Sequence, residues 1–174
     1  MKYQLVALCP DEIKPVLIKE LENLKANSIR SGYKAVSFEV DEDLYYACHL
    51  KLATASSLLR VIGKFSLKYS SDLYQQTAKI NWHEIFSPIK TFKVDVHLAT
   101  RGKDHPSSNE VSRDIRLAIQ DQFLRSTNKV PKVELKDPEI IICAYYSAKK
   151  VSLSINTART SLHKRGYRLP GHPA

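Results

Sequence analysis

Cys9, Cys48 and Cys143 lie too far apart to make a C-x-x-C ligand pair, and His83, His97 and His105 stand alone, so a zinc site has no ligand spacing to rest on. Gly32, Gly63, Gly102, Gly166 and Gly171 form no glycine-rich turn of the kind that lets a backbone approach a nucleotide or S-adenosylmethionine. No serine sits in a G-x-S-x-G setting. What recurs instead is cationic side chains beside turns and helix ends. Arg101-Gly102-Lys103-Asp104-His105-Pro106 delivers charge just ahead of Ser107-Ser108-Asn109-Glu110. That tetrapeptide is a capping box: Ser107 accepts from the third helical amide, Glu110 reaches back, and Pro106 and Val111 take the staple positions. The open amides of such a start favour an anion, as phosphate is, although a purely structural helix carries the same signature. Arg113 and Arg116 follow with Gln120 on one flank, Lys149-Lys150 marks a turn, and Arg159, His163, Lys164, Arg165, Tyr167 and Arg168 form a basic tail. Lysine and arginine there offer phosphate contacts, and Tyr167 is able to stack on an unpaired base.

The charge behind these groups is unevenly spread. Residues 1–50 hold six basic and eight acidic side chains, net −2, whereas residues 51–174 hold twenty-one basic against ten acidic, net +11, with no acid after Glu139. A polyanion is the natural partner of such a surface, and an acidic protein would satisfy the same charge. The three cysteines, odd in number and set in apolar runs, read as reduced core residues of a cytoplasmic protein. The start Met1-Lys2-Tyr3-Gln4 is unlike a signal peptide, and the longest apolar run near the end, Ile140 to Tyr146, is too short to span a bilayer.

The elements that must position the basic groups follow from periodicity. Tyr3 to Leu8 predicts a strand, Ile13, Val16, Leu17, Leu21 and Leu24 a helix to about Ala26, and the alternation of Val36, Phe38 and Val40 a second strand. Asp41 caps a helix from Glu42 to about Leu52, and Leu58 to Tyr69 predicts a third strand. A second unit starts near Ser70 with a helix bearing Leu73, Tyr74 and Ile80, then a short helix at Asn81–Glu84. It continues with a strand alternating through Phe92, Val94, Val96 and Leu98, and with the capped helix, whose apolar arc is Val111, Ile115, Ala118, Ile119 and Phe123. Val133-Glu134-Leu135 and Glu139 to Tyr146 predict strands, the latter returning through Lys149-Lys150 to Val151–Ile155 as a hairpin. The fold class is α+β: a ferredoxin-like unit over 1–69, an α/β unit over 70–160, and a basic linker over 161–174.

At this level the chain resembles the N-terminal portion of THUMP-containing RNA methyltransferases of the ribosomal-RNA guanine type, along essentially its whole length. Ala7-Leu8-Cys9-Pro10 and Ala53-Thr54-Ala55-Ser56-Ser57-Leu58-Leu59-Arg60 are similar to that family's ferredoxin-like lead-in. Phe92-Lys93-Val94-Asp95-Val96, Ser107 to Phe123 with Asn109 and Arg113, and the hairpin to Ile155 are similar to its THUMP core. Ser161-Leu162-His163-Lys164-Arg165-Gly166-Tyr167-Arg168 resembles the segment that leaves THUMP for the methyltransferase domain. Asn156-Thr157-Ala158-Arg159 departs from the Asp-Leu-Ser-Gly-like turn of relatives.

The resemblance implies a module that grips structured RNA, ribosomal RNA above all, for a methyltransferase domain in cis beyond Ala174. The Asn/Asp-Pro-Pro-aromatic catalytic tetrapeptide is excluded here, since no two prolines are adjacent. The chain is therefore expected to hold no catalytic residue, cofactor or metal of its own, with S-adenosylmethionine belonging to the missing domain. Arg101, Lys103, His105, Asn109, Arg113, Arg116, Lys149, Lys150, Arg159, His163, Lys164, Arg165, Tyr167 and Arg168 are the expected RNA contacts. A free-standing THUMP adaptor presenting transfer RNA to a separate enzyme, or a basic protein-interaction module, are the alternative readings.

Overall fold

The computed structural model describes residues 2–69, 71–99, 106–158, 161, 162 and 164. Its described residues divide into two compact units, one of residues up to Val61 together with those from Asn156 onward, the other of residues 62–155.

In the first unit the order is β1 (Tyr3–Leu8), α1 (Lys14–Asn23), β2 (Asn27–Gly32), β3 (Ala35–Val40), α2 (Glu42–Lys51) and the start of β4 (Ser57–Ser66). The strands lie β2-β3-β1-β4, with β1 antiparallel to both β3 and β4. This is the complete ferredoxin-like βαββαβ unit. Registers Leu5↔Phe38, Ala7↔Val36 and Ala7↔Leu58 bring alternate residues onto one face, where they are buried with Leu17 and Leu21 of α1 and Cys48 of α2. β2 was not expected, because Asn-Ser-Ile-Arg-Ser-Gly has a single apolar residue. It pairs only with β3 and is almost wholly exposed, so nothing in its burial dictates alternation. Proline at the first turn and the absence of a side-chain cap place the start of α1 at Lys14. Asp11 is used elsewhere, bonding Lys34 N at 3.0 Å and Lys14 Nζ at 2.5 Å. Asp41 caps α2 as its position predicts, accepting from Leu44 N at 2.9 Å.

The second unit continues from β4 at Ile62 through α3 (Asp72–Ala78), a 3-10 turn (Trp82–Glu84), β5 (Phe92–Leu98), α4 (Ser108–Thr127), β6 (Ile140–Ser147) and β7 (Lys150–Asn156). Strand order here is β4-β7-β6-β5, with β5 and β6 parallel from Phe92↔Ile140 to Leu98↔Tyr146, and β6 and β7 an antiparallel hairpin. The predicted arc of α4, Val111, Ile115, Ala118, Ile119 and Phe123, is buried as a set, over Phe92, Ile142, Ala144 and Leu153. Gln122 fixes the other flank: its amide donates to the carbonyls of Ala78 and Ile80 and its oxygen accepts from Trp82 N, while the buried Trp82 indole donates to Thr77 O at 3.0 Å.

Two expectations are corrected. Val133-Glu134-Leu135 is not a strand but a single bridge: Phe92 N donates to Lys132 O and Glu134 N to Phe92 O, after which the chain turns away and leaves Leu135 exposed. The expected short helix at Asn81–Glu84 forms as a single 3-10 turn, Trp82–Glu84. The hairpin turn is Ala148-Lys149, with Lys150 already the first residue of β7 opposite Ser147. Positive φ at both turn residues, 46° and 64°, identifies a type I′ turn, which matches strand twist but favours Asn-Gly over Ala-Lys. Compactness changes within β4, after Val61, and the chain returns to the first unit at Asn156. Thr157 N and Oγ1 both donate to Leu58 O, His49 bridges Tyr45 O and Thr157 Oγ1, and Leu162 N donates to Ser56 O while its side chain joins the first core.

Candidate nucleic-acid interface

Because β5 and β6 run parallel and α4 follows β5, the C-terminal ends of both strands, the β6–β7 turn and the start of α4 gather at one end of the second unit. Loops at the carboxyl end of parallel strands are where such architectures present ligand-binding groups. The capping box forms as read: Glu110 N donates to Ser107 Oγ at 3.2 Å and Ser107 N to Glu110 Oε2 at 2.7 Å. The bond from the Ser107 amide holds the Glu110 carboxyl below its ordinary pKa, so this helix start already holds one anion. Asn109 is exposed one residue inside the helix.

Arg113 and Arg116 stand on one flank of α4, where with Leu117, Gln120 and Val133 they line a shallow groove. Arg113 pairs with Asp114 at 3.2 Å and is otherwise exposed, whereas Arg116 Nε is committed to Ser112 O at 3.3 Å. Arg113 is thus the freer of the two. Lys149 and Lys150 are exposed on the hairpin, at the end shared with the start of α4. Lys164, also exposed, belongs to the first unit, its amide donating to Ser161 O at 2.9 Å. Arg101, Lys103, His105, Arg159, His163, Arg165, Tyr167 and Arg168 lie outside the described residues.

Four residues at the hairpin end escaped the sequence reading. Leu67 N donates to Lys149 O at 2.7 Å, which brings Lys68 and Tyr69 beside the turn, with the lysine ammonium 5.4 Å from the tyrosine ring centre and that ring 60% exposed. On the strands, register partners His97 and Tyr145 stack at 5.6 Å and 13°, on the side opposite the core, and Tyr145 is 44% exposed. The signal that could have found this pair is alternation: with Val96 and Tyr146 facing inward, His97 and Tyr145 must face out. Lysines interleaved with accessible ring faces suit a phosphate backbone carrying unpaired bases.

Elsewhere in the unit Ser126 Oγ lies 2.6 Å from His83 Nε2 and within hydrogen-bond reach of the Gln122 carbonyl at 2.8 Å, at the last turn of α4. Burial pushes the thiols of Cys48 and Cys143 up to about 11, which keeps them protonated and unreactive. Among the described residues no group of three or more His, Cys, Asp and Glu side chains could hold a metal ion, and no helix is long and apolar enough to cross a membrane.

The THUMP domain model matches residues 68–156, half of the chain and nearly all of the second unit. The chain belongs to the THUMP family. Outside the THUMP domain the likeness extends over the first unit too. Ribosomal RNA large subunit methyltransferase K/L of Photobacterium profundum is 30% identical over 95% of this chain and 23% of its own length, and that of Marinomonas sp. is 31% identical over 97% and 23%. The chain therefore spans less than a quarter of these relatives. In structure it is similar to a possible methylase from Clostridium difficile 630, with TM-score 0.83 and 23% identity over 99% of this chain and 46% of that one. A 4-thiouridine synthetase solved in complex with RNA and ATP superimposes with TM-score 0.60 and 11% identity over 89% of this chain and 41% of that one. At such identities the likeness is one of fold: a ferredoxin-like unit followed by THUMP.

Proposed function

We propose that this chain binds structured RNA, ribosomal RNA by preference, and positions it for an S-adenosylmethionine-dependent guanine methyltransferase domain of the same polypeptide in the cytoplasm. The observation that carries the reading is the gathering of Lys68, Tyr69, Lys149, Lys150 and the His97–Tyr145 stack at the end of the THUMP unit where α4 starts. Lysines there neutralise phosphates and set register, while the rings select an unpaired or end nucleotide over a continuous duplex. The named relatives, both ribosomal RNA methyltransferases, support the substrate class. Cofactor and guanine chemistry would lie outside these 174 residues, leaving this chain to hold and orient.

Titration of the chain with a structured ribosomal RNA fragment over a range of salt tests this. Binding should weaken steeply with salt, and Lys149→Glu with Lys150→Glu should lower affinity at least tenfold and flatten the log–log salt slope by more than one unit. Replacing Lys164, Arg165 and Arg168 by Glu should weaken binding as well. An affinity indifferent to salt, or to the hairpin charges, would refute the proposal.

A further inference from the structure

The His97–Tyr145 stack has a free side. Val96, Tyr146 and Val151 point into the core beneath α4, so their chain neighbours His97, Tyr145 and Ser152 stand on the opposite face of the sheet. β6 lies between β5 and β7, and the imidazole carried by β5 covers one face of the phenol carried by β6, at 5.6 Å and 13°. The other phenol face therefore looks toward β7. There the register partner of Tyr145 is Ser152, whose side chain is too short to cover a ring, and Tyr145 is left 44% exposed.

Ser152 thus floors a gap that has an aromatic wall. A flat ring placed over Ser152 lies one strand spacing from the phenol, about 4.8 Å, inside the range in which ring centres pair. The gap closes inward, where the next pair on this face is the half-buried Cys143 and the buried Ser154. It is open toward the hairpin. Lys150, two residues from Ser152 and on the same face, is exposed about 7 Å away along β7. Asp95, also on this face, is paired with Lys93 at 3.1 Å, so its charge is balanced before a phosphate arrives.

We propose that the gap over Ser152 is a base slot: an unpaired base of the bound RNA lies over Ser152 against the open face of Tyr145, and Lys150 holds its phosphate. The Ser152 hydroxyl, able to donate or accept, meets the edge of that base. The inference rests on the RNA-binding reading above and deepens it, giving a single-stranded nucleotide a defined place on the sheet face and making a small residue at position 152 a condition for it. A base inside a continuous duplex is already stacked on both sides and cannot enter.

The test uses the full chain and two end-labelled ligands of equal charge, octauridylate and an octamer of abasic ribose phosphates, with affinity read by fluorescence anisotropy at several salt concentrations. The parent should bind octauridylate about tenfold more tightly than the abasic octamer, with the same salt slope, because the two differ in bases and not in phosphates. Ser152→Leu fills the gap with a side chain that has no ring face, and should remove most of this preference while leaving the slope unchanged. Tyr145→Ala removes the wall and should do the same, whereas Tyr145→Phe keeps the ring and should retain the preference. Lys150→Glu should weaken both ligands alike and flatten both slopes by about 0.7 or more, the loss of one phosphate contact on a single strand. A damaged fold would lower both affinities together and so cannot imitate a lost preference for bases. If Ser152→Leu does not fold, the exposed Tyr145 pair decides the matter. A parent without preference for bases, or an unchanged preference in Ser152→Leu and Tyr145→Ala with the hairpin-lysine variant still defective, overturns the slot alone. A parent chain that binds neither octamer nor a structured ribosomal RNA fragment overturns the RNA reading with it.

Discussion

Thr77 shows how a single side chain can be out of balance with its surroundings. Its backbone carbonyl receives the Trp82 indole, yet its hydroxyl is buried with no partner. Thr77→Val keeps the shape and removes the unmatched hydroxyl, and should raise stability by about 1 kcal/mol in chemical denaturation. Trp82→Ala, by contrast, empties a fully buried site and should cost about 3–5 kcal/mol. The carboxylates of Asp11 and Glu110 act through pH. Both are held below their ordinary range, Asp11 first by Lys14 and Glu110 first by the Ser107 amide. A lowered folded-state pKa means stability that is present at neutral pH and lost as pH falls through and below the ordinary carboxylate range, around 4. The thermal midpoint should therefore drop on acidification, and Glu110→Gln should show a smaller drop than the parent. At this scale the sequence was legible where one residue's role is local, as with Ser107, Glu110 and Asp41. Alternation turns His97 and Tyr145 outward, but only the register of β5 with β6 brings them together, and one residue's surroundings do not reveal that.

Elements were readable in proportion to the burial of a face. α4 and β3 bury a regular stripe, and that stripe is what periodicity detects. β2 has no such stripe, being an edge strand whose existence depends on β3, and Val133 mimics a strand because one apolar residue bridges to Phe92. The β6–β7 hairpin was found from its flanking strands, but its turn was misplaced by one residue because Ala148-Lys149 lacks the glycine or asparagine that usually marks a type I′ turn. Two non-glycine residues held at positive φ store strain of order 1 kcal/mol or more. Ala148→Asn with Lys149→Gly should raise the thermal midpoint by several degrees while weakening RNA binding through the lost lysine. Ala148→Asn alone should stabilise without that loss. Equal RNA affinity in the two variants would mean that Lys149 does not touch the ligand.

On the scale of the whole molecule, the first unit is discontinuous in sequence. Thr157, Ala158 and Leu162 complete it from the far side of the THUMP domain, through bonds to Leu58 O and Ser56 O and through Leu162 packing on its core. A chain ending at Ile155 should keep the THUMP unit folded, while hydrogen exchange at the β1 amides quickens because β4 loses the segment bonded to Leu58. A linker that merely trailed away would leave those amides protected. The same arrangement imposes an order in time. Roughly ninety-five residues separate Val61 from the segment that finishes its unit, and at about 5–20 residues per second the nascent first unit waits about 5–20 s on the ribosome with that edge of β4 unpaired. The acidic first fifty residues and the charged, largely polar β2 at the opposite edge then keep a half-built sheet from pairing with its neighbours on a crowded polysome.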